Sequence, residues 1–178
     1  MDWPSQTREW CLFLDRDGVI NERIFGAYVR SVDEFKFLPG SLDAIAHFHQ
    51  IFQRIFVVTN QQGIGKGLMT ERNLHEIHRY MCEEIERQGG RIDQCYFAPE
   101  LKSDPNNSRK PGPFMALRAQ SDFPEVNFEK SIMVGDTDSD ILFGKKLGMK
   151  TVRIRTAEPI SIEADLTVEH LNDLIDLW

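Results

Sequence analysis

Phe13-Leu14-Asp15-Arg16-Asp17-Gly18-Val19-Ile20-Asn21 is the stretch on which the reading of this 178-residue chain turns. It follows Trp10-Cys11-Leu12, so an apolar run ends abruptly in a carboxylate. A short run that is apolar at every position reads as a strand buried on both faces of a parallel sheet. Asp15 then stands at the strand's carboxyl end, the edge where open α/β sheets bind ligands. Asp17 lies two residues on, and Gly18 lets the backbone turn sharply away. Two carboxylates this close repel each other. Magnesium answers that repulsion, because it takes oxygen ligands and bridges one or two carboxylates to a substrate phosphate. Asp-x-Asp alone also describes a solvated turn, so the weight falls on the rest of the chain.

Outward from this stretch, strands and helices alternate. Ile55–Val58 is a second buried strand that ends at Thr59-Asn60, and Ser131–Val134 is another that ends at Gly135-Asp136. Ile92–Phe97 is a weaker strand and Thr151–Ile154 a fifth. Ser41 is the expected N-cap of a helix with the stripe Leu42, Ile45, Phe48 and Phe52. Thr70 caps a second helix carrying Leu74, Ile77, Met81 and Ile85, stopped at Gly89-Gly90. Pro113 starts a short helix through about Gln120. A fourth, through Ile141, Leu142 and Leu147, closes at Gly148. Val168, Leu171, Leu174, Ile175 and Trp178 predict a last helix in the tail. Glu22–Leu38 reads as a small hairpin or flap, Gln61–Leu68 as a flexible glycine-containing loop, and Pro99–Ser108 as a surface excursion. His75 and His78 read as solvated polar-face residues. The pattern predicts one α/β domain over 1–178, a three-layer Rossmann-like fold with a mainly parallel five-stranded sheet and no large cap domain.

Composition bounds the function. A chain with 41% hydrophobic and 28% charged residues is an ordinary globular protein, and a net charge of −7 argues against nucleic acid or an anionic membrane as partner. Cys11, Cys82 and Cys95 have no paired spacing, so reduced thiols in a cytoplasmic protein are expected. No apolar run approaches the roughly 20 residues needed to span a bilayer, and the N-terminal residues do not read as a signal peptide.

Asp15, Thr59 and Asp136 each close a buried strand, so a parallel sheet brings them to one edge. The basic pair Arg109-Lys110 precedes Pro111 between the third and fourth strands. Carboxylates for a cation, a hydroxyl and a basic pair on a common edge suit phosphoryl transfer: metal and lysine offset charge while a carboxylate attacks in line.

With these residues the chain resembles the haloacid-dehalogenase superfamily of phosphatases over roughly residues 10 to 155. Asp15-Arg16-Asp17-Gly18-Val19 matches the first family motif, Thr59 the second, Lys110 the third, and Gly135-Asp136 with Asp140 the fourth. Asp-Arg-Asp-Gly-Val-Ile-Asn, Thr-Asn-Gln-Gln-Gly-Ile-Gly-Lys-Gly and Arg-Lys-Pro resemble the subfamily of heptose bisphosphate and histidinol-phosphate phosphatases. The resemblance implies a Mg2+-dependent phosphomonoester hydrolase. Asp15 would be the nucleophile that becomes an aspartyl-phosphate, and Asp17 the general acid and base. Mg2+ would be held by Asp15, the Asp17 carbonyl and Asp136, with Asp140 in support. Thr59 and Lys110 would bind the transferring phosphate. Asn60 and Arg109 would meet the rest of a small phosphorylated sugar, with Lys66 a further candidate contact.

The chain departs from that pattern in one place. Many members of the subfamily carry a structural zinc before Arg-Lys-Pro, but the corresponding positions here hold Ala98, Glu100, Asn106 and Ser108. No structural zinc is expected, and the 98–108 loop has to be held by hydrogen bonds or stay mobile. An arginine beside Lys110 suits a second anionic group, which a heptose 1,7-bisphosphate has and histidinol phosphate lacks. A heptose 1,7-bisphosphate 7-phosphatase is therefore the leading expectation. Histidinol phosphate, a nucleic-acid 3′-phosphate and a catalytically silent binding protein are the alternatives, and a monomer is expected.

Overall fold

A strand apolar at every position needs cover on both faces, and the sheet supplies it. The computed structural model describes residues 3, 4 and 7–178. Its strands are β1 (Cys11–Leu14), β2 (Arg54–Asn60), β3 (Gln94–Ala98), β4 (Ser131–Gly135), β5 (Lys150–Ile154) and β6 (Leu166–Val168). They form one sheet in the order β3-β2-β1-β4-β5-β6, and every pairing is parallel. Leu12, Leu14, Ile55, Val57, Ile132 and Val134 face α1 (Ser41–Ile51), α3 (Glu71–Arg87) and a 3₁₀ segment, Leu171–Leu177. Cys11, Phe13, Phe56, Val58 and Met133 face the other way, toward α4 (Phe114–Asp122) and α5 (Asp138–Lys146). Side chains alternate across a strand, so two helical layers bury both sets.

The sheet has six strands where the sequence predicts five. β6 comes from the start of the tail, where the pattern predicts a helix. Thr167 pairs with Arg153 and Val168 with Ile154, which satisfies backbone groups along the outer edge of β5. The residues after it form 3₁₀ rather than α-helix, yet Leu171 and Leu174 are buried as the spacing predicts. Trp178 packs its ring 5.8 Å from Phe48 and 5.1 Å from Phe52.

Three other local readings are corrected. Gly40, at φ +75°, is the N-cap of α1; Ser41 is the first helical residue, its hydroxyl buried and without a partner among the described residues. Residues 22–38 form no hairpin. They carry a 3₁₀ turn, Val32–Glu34, and a single bridge between Asn21 and Phe37. Phe35 and Phe37 meet edge to face at 5.0 Å and reach Tyr80 of α3 at 6.0 and 6.4 Å, so packing replaces strand pairing there. The third concerns Gln62–Gly65, which is a short helix, α2, within the stretch read as a flexible loop. Gly65 is there for close approach: a Cβ would lie 2.7 Å from the Pro99 carbonyl oxygen, to which its own N–H donates at 3.0 Å.

Among the described residues, no helix is long and apolar enough to cross a membrane.

Because α2 and the 99–101 backbone touch at Gly65, Gly65→Ala should act as overpacking against backbone and lower stability by about 1–3 kcal/mol. Urea denaturation measures this, alongside faster proteolysis within residues 99–108. An unchanged midpoint would show that the contact yields freely.

Candidate active site

The strand order reverses at β1, which lies between β2 and β4. Crevices at such reversals are where open α/β sheets bind ligands. A cleft of about 350 Å³ opens there, and Asp15, Asp17, Thr59, Asn60, Arg109, Lys110, Asp136 and Asp140 all line it. The Asp15 N–H donates to the Val134 carbonyl at 2.9 Å, which ties the first residue past β1 to β4. Gly18 turns the chain away at φ +92°, and Asp136 Oδ2 lies 2.4 Å from where a Cβ would be. The sequence reading of Gly18 holds, and close approach adds a second reason for it.

Lys110 sits at the centre of the cleft floor, 4% exposed. Its ammonium donates to the Val58 carbonyl at 2.7 Å and lies 2.9 Å from Asp15 Oδ1 and 2.6 Å from Asp140 Oδ1. Asn60 fixes this lysine through the main chain: Lys110 N donates to Asn60 Oδ1 at 2.9 Å, and Asn60 Nδ2 donates to the Lys110 carbonyl at 3.2 Å. Burial lifts the Asp15 carboxyl well above the usual carboxylate range; Lys110 opposes that rise, and Asp140 and Asp136 add to it. Burial would lower Lys110, but Asp140 and Asp15 outweigh it and hold the ammonium charged.

One carboxylate oxygen from each of Asp15, Asp136 and Asp140 lies within 4.8 Å of the other two. Asp136 is 2% exposed, and its Oδ1 has no hydrogen-bond partner among the described residues. Burial, then Asp140, raises Asp136 to about 6 against the pull of Arg23 and Lys110. Clustered hard oxygens, one of them orphaned, fit Mg2+. Asp140 also caps α5, accepting from Thr137 N at 2.9 Å and Thr137 Oγ1 at 2.6 Å.

The Asp17 carboxylate points elsewhere. It accepts from Arg16 Nη2 at 2.8 and 2.9 Å, from Asn21 Nδ2 at 2.9 Å and from Gln61 Nε2 at 2.9 Å. Burial would raise it, but the Arg16 charge and these hydrogen bonds prevail and hold it below the usual range. Gln61 Nε2 also donates to Thr59 Oγ1 at 2.9 Å, which leaves the Thr59 hydroxyl proton free for a ligand.

The outer wall is cationic. Arg109 is half-buried, its guanidinium donating among the described residues only to the Glu100 carbonyl at 3.4 Å, and Lys66 Nζ lies 5.3 Å from the centre of the Tyr28 ring. Neither has a carboxylate partner among the described residues, although the chain is acidic. Burial would raise the Tyr28 phenol, but hydrogen bonds with Lys66 and Gln62 and the nearby charge of Arg109 lower it. The 98–108 loop is pinned by hydrogen bonds: Ser108 Oγ lies 2.9 Å from both oxygens of Glu100, and Lys102 N donates to Gln62 Oε1 at 2.7 Å.

Four residues at or beside this site escaped the sequence reading. Arg23, from the 22–38 segment, donates to Asp136 Oδ2 at 3.1 Å and lies 3.4 Å from Glu158. Buried Arg153 donates to the Asp136 carbonyl at 3.0 Å and to Asp138 Oδ1 at 2.7 Å. Arg16 and Gln61 are the others. A charge inside the buried run Thr151–Ile154 was the available signal for Arg153, and the position of Arg16 between two acids was the signal for that residue.

The chain is similar to several known proteins. Residues 107–174 match a family model described as HAD-hydrolase-like. A Mycobacterium tuberculosis protein named D-glycero-alpha-D-manno-heptose-1,7-bisphosphate 7-phosphatase is 41% identical over 133 residues, covering 75% of this chain and 70% of that protein. A Helicobacter pylori protein named as the corresponding beta-heptose phosphatase is 30% identical over 172 residues, 96% of this chain and 97% of its own. The crystal structure of D,D-heptose 1,7-bisphosphate phosphatase from B. bronchiseptica, complexed with magnesium and phosphate, superposes with a TM-score of 0.86 at 30% identity, covering 94% of this chain and 97% of that one.

Lys110→Met should leave three buried carboxylates facing one another without their cation. A loss of about 3–5 kcal/mol in chelator-containing buffer is expected, with part recovered when Mg2+ binds the folded state. Urea denaturation with and without Mg2+ measures both. Wild-type stability in chelator would remove Lys110 from its central place.

Proposed function

The chain belongs to the haloacid-dehalogenase-like hydrolases, and from that premise we propose that it removes the 7-phosphate of a D-glycero-D-manno-heptose 1,7-bisphosphate. The observation that carries the substrate is the outer wall: Arg109 and Lys66, two cations without carboxylate partners, share a cleft with the Lys110 and carboxylate floor. A bisphosphate places one anion on the floor and the other against that wall. Arginine grips a phosphate with a planar fork, which suits Arg109 to the retained 1-phosphate.

The floor residues take the chemistry. Asp15 attacks the phosphorus of the 7-phosphate and becomes an aspartyl-phosphate. As its oxygen bonds to phosphorus, negative charge moves onto the phosphoryl group, and the Lys110 proton that faces Asp15 Oδ1 follows that charge. The Thr59 hydroxyl donates to a phosphoryl oxygen, since its own oxygen already accepts from Gln61. Asp17 serves the leaving oxygen as acid and then activates water as base. It enters the first step protonated and gives that proton to the leaving oxygen; the Arg16, Asn21 and Gln61 clamp favours the carboxylate this transfer leaves, the form the second step needs to take a proton from water. Asp15, Asp136 and Asp140 would hold Mg2+, Asp17 contributing only through its backbone carbonyl; when bound, the ion neutralises phosphoryl charge as a Lewis acid.

Asp15→Asn should abolish phosphate release and leave the unfolding transition cooperative, because no neighbour can supply the attacking oxygen. Measurable wild-type-like turnover in that variant would remove Asp15 from its role. Chelation should abolish wild-type activity, and Mg2+ should restore it.

Arg109→Ala should lose roughly tenfold or more in kcat/KM on the bisphosphate, as expected for one charge-assisted contact of about 1.5–3 kcal/mol. The loss on a heptose monophosphate should be much smaller. Equal losses on both, or faster hydrolysis of histidinol phosphate by the wild type, would overturn the substrate assignment.

A further inference from the structure

A second cleft, about 250 Å³, opens between α3 and β3 on the face of the sheet that α3 covers. His75, His78 and Cys82 fall at i, i+3 and i+7 on α3, and Cys95 and Phe97 at i and i+2 on β3, so each set shares one face. All five line this cleft. The His75 and His78 rings pack 5.7 and 6.4 Å from Phe97. Cys82 and Cys95 are half-buried and line the same cleft, Cys82 one turn after His78 on α3 and Cys95 two residues before Phe97 on β3, the pair whose rings pack together.

The dithiol is joined to the active site by contact. His78 is 6% exposed, not solvated as the sequence reading expects, and its Nε2 lies 3.5 Å from Arg16 Nη1. Burial and the Arg16 charge push this imidazole down to about 3, so it is neutral beside the guanidinium. Arg16, fully buried, makes the two-pronged contact that orients the Asp17 carboxylate. Arg16 also acts electrostatically on the Cys95 thiol.

We propose that Cys82 and Cys95 form a peroxide-sensitive dithiol whose oxidation to a disulfide shifts His78 and Arg16 and thereby misplaces Asp17. The chemistry balances with hydrogen peroxide as oxidant. The Cys82 thiolate attacks one peroxide oxygen, the O–O bond breaks and hydroxide leaves, giving a sulfenic acid. Cys95 sulfur then attacks the Cys82 sulfur, the S–O bond breaks, and that oxygen leaves as water with the Cys95 proton. Two thiols and one peroxide become one disulfide and two waters. Cys82 is the attacking partner because the neighbouring Cys95 lowers its thiol, whereas Cys95 is itself raised by Cys82 and by desolvation. A disulfide fixes its two Cβ atoms at about 3.5–4.5 Å, so forming one ties this turn of α3 to β3, with His78 one turn before Cys82. Arg16 is here a positioning residue, acting through Asp17.

The test treats the whole protein with hydrogen peroxide and follows three readouts: peptide mapping, turnover of para-nitrophenyl phosphate with Mg2+, and the imidazole NMR signals of His78. A Cys82–Cys95 linkage is expected, while Cys11, at 1% exposure, stays reduced. The His78 signals should move, and kcat should fall roughly tenfold to a hundredfold, the scale of a catalytic group displaced by about 1 Å. KM should change little, and dithiothreitol should restore the starting state. Cys82→Ser and Cys95→Ser should each keep basal turnover and lose the response. Absence of the linkage, a linkage with unmoved His78 signals or undiminished kcat, inhibition that persists in Cys95→Ser, or a thiophilic metal ion held by these thiols would each overturn the proposal. The linkage and His78 readouts are independent of the substrate assignment.

Discussion

Three carboxylates gathered at the end of a buried sheet depend on the cations beside them, above all on one buried ammonium. Asp15, Asp136 and Asp140 present oxygens within 4.8 Å of one another, and Lys110 reaches two of them. Uncompensated, such a cluster would repel itself apart or take up protons, since buried charge is tolerated only when paired and hydrogen-bonded. Lys110 must therefore be held as firmly as the strands. It arrives on a long connection, and Asn60, at the end of β2, clamps its backbone on both sides. The excursion before it is tied down by Ser108 on Glu100 and by Lys102 on Gln62. The tight packing of α2 on Pro99 belongs to the same anchoring.

Arginines distribute the remaining charge. Arg16 orients Asp17, Arg23 meets Asp136 from outside, and Arg153 holds the Asp136 backbone while pairing with Asp138. Asp138 does more than begin α5: it also accepts from Ser161 N at 2.8 Å, so the tail is drawn toward the site. In a chain of net charge −7, cations with matched carboxylates are spent on architecture. Arg109 and Lys66 are left facing the cleft without such partners, and that asymmetry carries the reading of a second anion site.

Arg23 and His78 show how one arrangement serves several parts of the molecule. Arg23 belongs to a segment with almost no regular structure, yet it contacts an oxygen of a candidate metal ligand. His78 belongs to the regular helix α3 and stands behind the Arg16–Asp17 pair. The floor of the cleft is thus supported from the 22–38 segment, from α3 and from the tail, as well as from the strands that carry its acids.

The sequence by itself determined the buried strands β1, β2, β4 and β5, the residues that close the first three of them, and the place of Lys110. Uniform apolar runs ending in a polar residue are local patterns, and parallel pairing makes their ends converge whatever lies between. Tertiary structure decided the rest. Three residues after Asp165 became the edge strand β6 because β5 offered them unpaired backbone; helical spacing in the tail carries no trace of that partner. Gly63 and Gly65 read as flexible, but Gly65 is small because Pro99 lies against it. His78, read as solvated, lies on the buried stripe of its helix with Leu74 and Met81, and burial beside the Arg16 charge keeps it neutral. Arg23 entered the site through a fold of the chain set by Phe35 and Phe37 packing on Tyr80. Each of these depends on a neighbour distant in sequence, and contact between distant residues exists only once the chain has closed on itself.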